Sequence, residues 1–139
     1  MPWRDHLQKA LVNLQAAEVC HRENLSDPAV SRAYYGVFHA AIAALLRFGA
    51  YQIEREGWDH AEVQAEFNRR LIVRQKIFPM ELGRIPSYLI NYRHIADYRR
   101  ATVGKKVASR CLEKAKRFVT TVENKLKEKP TSVSSAKSD

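Results

Sequence analysis

The feature that most constrains the fold is a segment whose apolar residues would surround most of a helix. From about Pro28 to Phe48 the sequence reads PAVSRAYYGVFHAAIAALLRF, and Gly49 follows it. Its large apolar residues recur at steps of three and four, and alanine or glycine fills many other positions. A helix with apolar residues on most of its circumference is buried by neighbouring elements on several sides. We therefore predict the central helix of an all-α bundle.

Four further helices are predicted around this one, because apolar residues recur with helical spacing in four other segments. Together they would form an up-and-down bundle of about five helices. The four segments are residues from about 4 to 24, about His60 to Arg74, about Arg84 to Tyr98, and about Lys105 to Lys127.

The domain organisation follows from the length of the chain and the composition of its end. A chain of 139 residues suits one hydrophobic core, so we predict a single helical domain over residues 1–129. Residues 130–139 read PTSVSSAKSD and contain too few apolar side chains to pack, so we predict a disordered tail. Within the domain, Asp27 is expected to cap the second helix ahead of Pro28, and residues 51–58 are expected to form a loop.

The excess positive charge lies in the second half of the chain. The net charge is +9, yet residues 1–70 contain 8 Lys and Arg against 9 Asp and Glu, whereas residues 71–139 contain 16 against 6. Such an asymmetry favours a polyanionic partner, most simply nucleic acid. A solvated basic helix followed by a basic tail explains the same numbers equally well.

Several other classes of protein are disfavoured by the sequence. No apolar run reaches the roughly 18 residues of a membrane-spanning helix, and the N-terminus lacks the apolar core of a signal peptide. We therefore expect a cytoplasmic protein that does not act at a membrane. Cys20 and Cys111 belong to no Cys-x-x-Cys pair and no zinc-spaced cluster, so they are interpreted as buried thiols rather than metal ligands.

Two segments, taken together and in this order, resemble the HEPN family, specifically its small stand-alone prokaryotic members. The run Ala29-Val-Ser-Arg-Ala-Tyr-Tyr-Gly-Val-Phe-His-Ala-Ala41 is similar to the pattern of the family's second helix. Glu81-Leu-Gly-Arg84, leading into Arg93-His-Ile-Ala-Asp-Tyr98, is similar to its Arg-x-x-Ala-Asp-Tyr stretch. The likeness covers about residues 4 to 127. It implies a helical bundle and a homodimer formed through the central helices, which the small residues of the second helix would also allow.

The resemblance further implies an activity and partners. Many members of the family are metal-independent ribonucleases that act as toxins or antiviral effectors. A neighbouring gene often encodes a minimal nucleotidyltransferase that serves as the antitoxin. Other members are substrate-binding partners of such nucleotidyltransferases. The leading hypothesis is therefore an RNA-directed endoribonuclease that needs no metal or organic cofactor.

The candidate catalytic residues lie on the fourth helix, where the ribonucleases of the family carry an Arg-x(4–6)-His motif. Arg93 occupies the arginine position, but Tyr98 stands where the histidine is expected. Arg93 would stabilise the charge of the transition state, and Asp97 would orient it. Tyr98 or the neighbouring His94 would assist proton transfer, although tyrosine is a poor base at neutral pH.

Residues around this motif provide the remaining expectations. A set of exposed basic side chains would hold the RNA backbone at the mouth of the cleft without reading its sequence. One of Tyr34 and Tyr35 should point into the core, and the other could reach Asp97 or Arg93 through its hydroxyl. His39 is interpreted as a core histidine and His60 as a polar residue at a helix start. The basic set comprises Arg99, Arg100, Lys105, Lys106 and Arg110.

Three other interpretations of the same residues stay open. Arg93 and Asp97 are four residues apart, so they could form an ordinary surface ion pair worth about 0.3–0.5 kcal/mol. The same cleft could bind nucleotide or RNA without cutting it and present it to a partner nucleotidyltransferase. The chain could also be a structural interaction protein whose exposed helix face holds a larger complex.

Overall fold

The computed structural model describes residues 2–49 and 59–128, and within these ranges the regular structure is entirely helical. The predicted loop at 51–58 and the predicted tail at 130–139 lie outside the described residues. The elements are α1 (Pro2–Arg22), α2 (Ser26–Phe48), α3 (His60–Glu66), a π-helix (Phe67–Arg74), a 3₁₀ turn (Met80–Arg84), α4 (Ile85–Tyr98) and α5 (Lys105–Leu126).

Helix α2 is the central element, as its composition predicts. It packs against α1, α4 and α5, and residues such as Val30, Val37 and Ile42 have no exposed surface. By length and composition alone α2 could cross a membrane, but 72% of its most apolar window is buried inside the bundle. Its apolar surface is therefore covered by the neighbouring helices of the same chain.

The small residues of α2 allow a close approach of α1. A Cβ atom added at Gly36 would lie 3.3 Å from the backbone oxygen of Ala10, closer than most Cβ contacts. Ala33 and Ala40, at spacings of three and four residues from Gly36, are also fully buried. The small residues that the sequence offered in support of a dimer are thus used for packing inside one chain.

The expected capping role of Asp27 is wrong. Helix α2 begins at Ser26, and no side chain caps it. Asp27 lies in the first turn, where its Oδ1 accepts a hydrogen bond of 2.8 Å from the backbone N–H of Val103. The carboxylate is used for a tertiary contact because the connection between α4 and α5 passes over the start of α2.

The third predicted helix changes character halfway along its length. It begins at His60, where the Asp59 side chain accepts a hydrogen bond from the backbone N–H of Glu62. From Phe67 to Arg74 the chain follows a wider π-helix that buries Phe67 and Leu71. The next segment contains the 3₁₀ turn and leads directly into α4, which has Pro86 in its first turn, where the missing N–H of proline costs no helical hydrogen bond.

Candidate functional site

Arg93 lies on the inner face of α4. Ile85 and Leu89 are buried at spacings of eight and four residues before it, so Arg93 continues the same face one turn further along. Its side chain is only 17% exposed. A guanidinium this sheltered is unusual in a soluble protein, since arginine is seldom buried unless it has partners.

Two tyrosines of α2 form the wall against which Arg93 packs. The guanidinium carbon lies 5.3 Å from the ring centre of Tyr34 and 5.2 Å from that of Tyr35, within the range of cation–π attraction. The two rings meet edge to face at 5.4 Å. Tyr34 is the inward residue of the pair, at 3% exposure, as one of the two was expected to be. Both rings contact Arg93, whereas the sequence suggested contact through one hydroxyl.

The expected ion pair between Arg93 and Asp97 is present but loose. Asp97 Oδ2 lies 3.3 Å from Arg93 Nε, and the two side chains are 29% and 17% exposed. The contact lacks hydrogen-bond geometry, because Arg93 Nε is buried without a hydrogen-bond partner among the described residues. Arg93 is therefore positioned by two aromatic rings and one carboxylate, and its terminal amino groups form no hydrogen bond among the described residues, so they can donate to a ligand.

His94 and Tyr98 lie on a different side of α4 from Arg93. Their rings contact each other at 5.7 Å, both residues are exposed, and Tyr98 reaches 73% exposure. Successive residues of a helix point about 100° apart, so neither side chain shares the inner face of Arg93. The structure does not bring them to the guanidinium within one chain, and their role in proton transfer stays a prediction.

The five predicted RNA-contacting residues are all exposed, but they do not form one compact group. Arg99 and Arg100 follow the last turn of α4, and Lys105 and Lys106 begin α5. Arg110 lies one to two turns along α5, close to Tyr88. Burial raises the pKa of Tyr88, and the charge of Arg110 opposes this rise. Four of the five therefore flank the C-terminal end of α4, which lies directly after Asp97.

His60 is the site residue that sequence reasoning missed. Its Nδ1 forms a hydrogen bond with the Tyr34 hydroxyl, and its ring stacks on Phe38 with 4.1 Å between ring centres. Burial lowers the pKa of His60 and the nearby charge of Arg93 lowers it further, while Asp59 raises it. Burial also raises the pKa of Tyr34 to about 12, so its hydroxyl stays protonated. No sequence signal joined His60 to Arg93, because they belong to different helices 33 positions apart.

A small cavity adjoins this group of side chains. Its volume of about 10 Å³ is close to the minimum for one water molecule. Tyr34, Phe38, His60, Gln64 and Pro86 are among its lining residues. We refer to Arg93, Tyr34, Tyr35, Asp97 and His60 as the Arg93 cluster.

A second histidine contact joins α1 to α2 close to the Arg93 cluster. His6 Nδ1 lies 3.1 Å from His39 Nδ1, and the two rings stack at 5.3 Å. Burial, followed by the charges of His6, Lys9 and His60, lowers the pKa of His39 to about 4. Burial and Lys9 also lower the pKa of His6, and Asp5 raises it. His39 is therefore the hydrogen-bonded, half-buried histidine that its position on an apolar helix predicts.

This pair predicts a loss of stability in mild acid. An unfolded histidine gains its proton near pH 6.5, whereas folded His39 does so near 4, so between these values the unfolded state binds more protons. The free energy of unfolding should be highest above pH 7 and should fall by about 1–2 kcal/mol as the pH drops to 4, after allowance for solvent screening. Urea denaturation from pH 4 to 7.5 measures this change. A His39→Gln variant whose stability falls as steeply as that of the wild type would contradict this cause.

The comparisons with known proteins agree with one another. Residues 3–125 match the sequence profile of the HEPN domain. The chain is also 32% identical over 116 residues to a protein of Methanocaldococcus jannaschii that is named as a candidate toxin. That match covers 84% of this chain and 82% of the archaeal protein. The resemblance inferred from the sequence is confirmed, and so is the all-helical fold that it implied.

Proposed function

This chain belongs to the HEPN family, and from that premise we propose that it acts on RNA as a toxin-like endoribonuclease. The observation that carries the proposal is the packing of the Arg93 guanidinium against the rings of Tyr34 and Tyr35. A sheltered arginine whose terminal amino groups form no hydrogen bond among the described residues is suited to bind an anion. The candidate toxin of Methanocaldococcus jannaschii supports the toxin-like role.

The chemistry of Arg93 suits the phosphate of an RNA chain. The guanidinium is planar and permanently charged, so it can hold two phosphate oxygens and stabilise the extra negative charge of a transition state. Tyr34 and Tyr35 keep it in place through their rings, which leaves its N–H groups for the ligand. The net charge of +9 favours the approach of a polyanion.

A second candidate function is non-catalytic binding of RNA or nucleotide on behalf of a minimal nucleotidyltransferase. The observation that favours it is the position of His94 and Tyr98, which lie on the outer side of α4 and contact each other. Neither His94 nor Tyr98 lies beside Arg93 within one chain. These two residues therefore do not form the pairing of arginine and histidine that the ribonucleases of the family use. The same cluster would then bind a phosphate without cutting the strand.

The partners of the proposed function are a second copy of this chain and a minimal nucleotidyltransferase acting as antitoxin. An interface on α1 would cover Val12 and Val19, which are 52% and 42% exposed and lie two turns apart on one face. Measurement of the mass in solution tests the dimer. Co-purification with a nucleotidyltransferase encoded beside it tests the second partner.

Incubation of the purified protein with total RNA in EDTA decides between the two candidate functions. Cleavage by the wild type that is lost in Arg93→Ala supports a metal-independent endoribonuclease, because a contaminating nuclease would also be present in the preparation of the variant. Saturable binding without cleavage supports the binding module. Neither cleavage nor binding, at low salt and micromolar protein, would overturn both.

Reversal of the charges next to the Arg93 cluster should weaken RNA binding for every sequence to the same extent. The change is the double substitution Arg99→Glu and Arg100→Glu at the end of α4. If each side chain neutralises one phosphate, the slope of log affinity against log salt should become shallower by about 1.4 for single-stranded RNA. Fluorescence anisotropy at several salt concentrations measures it, with Lys127→Glu, at the far end of α5, as the matched control. An unchanged slope would show that these arginines do not contact RNA and contribute only to solubility.

A further inference from the structure

We propose that His60 is the proton-transfer residue of the Arg93 cluster, accepting the proton of a ribose 2′-hydroxyl whose neighbouring phosphate is bound by Arg93. The inference rests on the proposed function and names its missing base. It departs from the expectation that the base lies on α4, since His60 begins α3.

The geometry that carries the inference is a histidine fixed on two sides. Phe38 stacks on the imidazole, with ring planes 12° apart and 4.1 Å between centres. The Tyr34 hydroxyl is hydrogen-bonded to Nδ1, which restrains rotation of the ring within its plane. His60 nevertheless stays partly exposed, so a ligand can reach it. A catalytic base needs this combination of fixed orientation and access.

The hydrogen bond between the Tyr34 hydroxyl and His60 Nδ1 is compatible with the tautomer that a base requires. When the imidazole proton is on Nδ1, it is donated to the Tyr34 oxygen, and the lone pair of Nε2 is left to accept a proton. No hydrogen bond to His60 Nε2 exists among the described residues, and the side chain is partly exposed. Tyr34 then acts as a positioning residue, in the way that a third group orients the base in other nucleophilic sites.

Arg93 and His60 pack against the same tyrosine. The Arg93 guanidinium carbon lies 5.3 Å from the Tyr34 ring centre, and the His60 ring centre lies 5.5 Å from it. The charge of Arg93 also acts on the His60 imidazole, so we place both groups within reach of one nucleotide unit. In the reaction, His60 Nε2 takes the 2′-hydroxyl proton, and the 2′-oxygen forms a bond to phosphorus. The bond to the 5′-oxygen breaks, that oxygen gains a proton from water, and a 2′,3′-cyclic phosphate remains.

The charges around His60 keep it in the form that a base requires. The titratable and charged groups that face it are Tyr34, Tyr35 and His39 from α2, Arg93 from α4, and Asp59 from its own N-cap. Burial and Arg93 lower the pKa of His60, and Asp59 opposes them only in part. The imidazole is therefore neutral at pH 7. Cleavage should decline as the pH falls through this lowered pKa, because the base becomes protonated.

The first experiment measures RNA cleavage and RNA binding for His60→Gln. Cleavage should fall by at least about 100-fold, because a positioned general base contributes 10²–10⁴. Affinity for RNA should change less than threefold, since Arg93 still binds the phosphate. The matched control is His21→Gln on α1, about 22 Å along that helix from His6. Wild-type rates in His60→Gln would overturn the proposal.

The second experiment separates failure of this inference from failure of the proposed function. A dinucleotide whose reactive 2′-hydroxyl is replaced by hydrogen is titrated into the intact protein, and the His60 imidazole signal is followed by NMR. A bound phosphate near His60 should shift this signal and raise its pKa, since an anion favours the protonated ring. The Tyr34→Phe variant should retain binding but show an altered pH profile of cleavage.

The combined outcomes are distinct. If the wild type cuts RNA and the His60 signal responds to the dinucleotide, loss of cleavage in His60→Gln supports the base. If RNA is cut while the His60 signal and the His60→Gln rate stay unchanged, the ribonuclease stands and His60 is excluded. If the signal responds but no RNA is cut, the proton-transfer role is overturned and the cluster is a binding site.

Discussion

Arg93→Ala is expected to lower the rate of RNA cleavage by at least about 100-fold, which corresponds to roughly 3 kcal/mol of lost transition-state stabilisation. The reason is that Arg93 provides the positive charge of the Arg93 cluster. Its side chain is 17% exposed, and two tyrosine rings hold it in position. The rate is measured with purified protein in EDTA. The same substitution should restore growth to bacteria that the wild-type protein arrests.

A conservative variant makes this prediction more selective. Arg93→Lys retains the positive charge but loses the planar fork and much of the stacking on the tyrosine rings, so it should recover only a small part of the activity. Arg69→Ala, which removes an exposed arginine paired with Glu66, is the control for loss of one positive charge. Cleavage that drops equally in the Arg93 and Arg69 variants would mean that net charge matters and the cluster does not.

Phe118→Ala should give the largest loss of stability, about 3–5 kcal/mol in the free energy of unfolding. Phe118 of α5 has no exposed surface, and its ring centre lies 5.2 Å from that of Phe67, which begins the π-helix. Truncation removes the aromatic contact and leaves a cavity where α5 meets the π-helix. Urea denaturation followed by circular dichroism measures the change.

The control for this substitution is Thr120→Ala, on the exposed face of the same helix. It should change stability by less than about 0.5 kcal/mol, because surface substitutions away from special features are usually nearly neutral. A loss below about 1 kcal/mol for Phe118→Ala would show that α5 is not packed as the structure describes. Since a loss of 3–5 kcal/mol can consume most of a small domain's stability, the experiment is best done at 10–20 °C.

The fold was predictable from the sequence because its main signals are local. Apolar residues at steps of three and four mark each helix, and the nearly all-round apolar character of α2 identifies the centre of the bundle. The loss of helical regularity after Glu66 was not predictable, since the residues Phe67–Arg74 have ordinary helical spacing. The role of Asp27 was missed for a related reason, because its partner Val103 is 76 residues away.

The candidate site was predictable only in part. The motif placed Arg93 and Asp97 one turn apart on a helix, and the structure brings them together with 3.3 Å between Nε and Oδ2. The sequence also indicated that one of Tyr34 and Tyr35 points inward. It could not show that Arg93 lies over both rings, because that depends on how α4 crosses α2. His60 was missed because its link to Arg93 runs through Tyr34, and such a link arises from tertiary packing alone.

The central claim is that the guanidinium of Arg93 binds the phosphate of an RNA ligand, and ¹⁵N NMR of arginine side chains tests it most directly. The Nε–H signal of Arg93, assigned by its loss in Arg93→Lys, should move in a saturable way as an RNA oligonucleotide is added, since a phosphate bound by the terminal amino groups of the same guanidinium changes the surroundings of the buried Nε. The Nε–H signal of Arg70, which already donates to Glu66 at 2.6 Å, should stay in place. RNA that binds while the Arg93 signal stays fixed would contradict the claim.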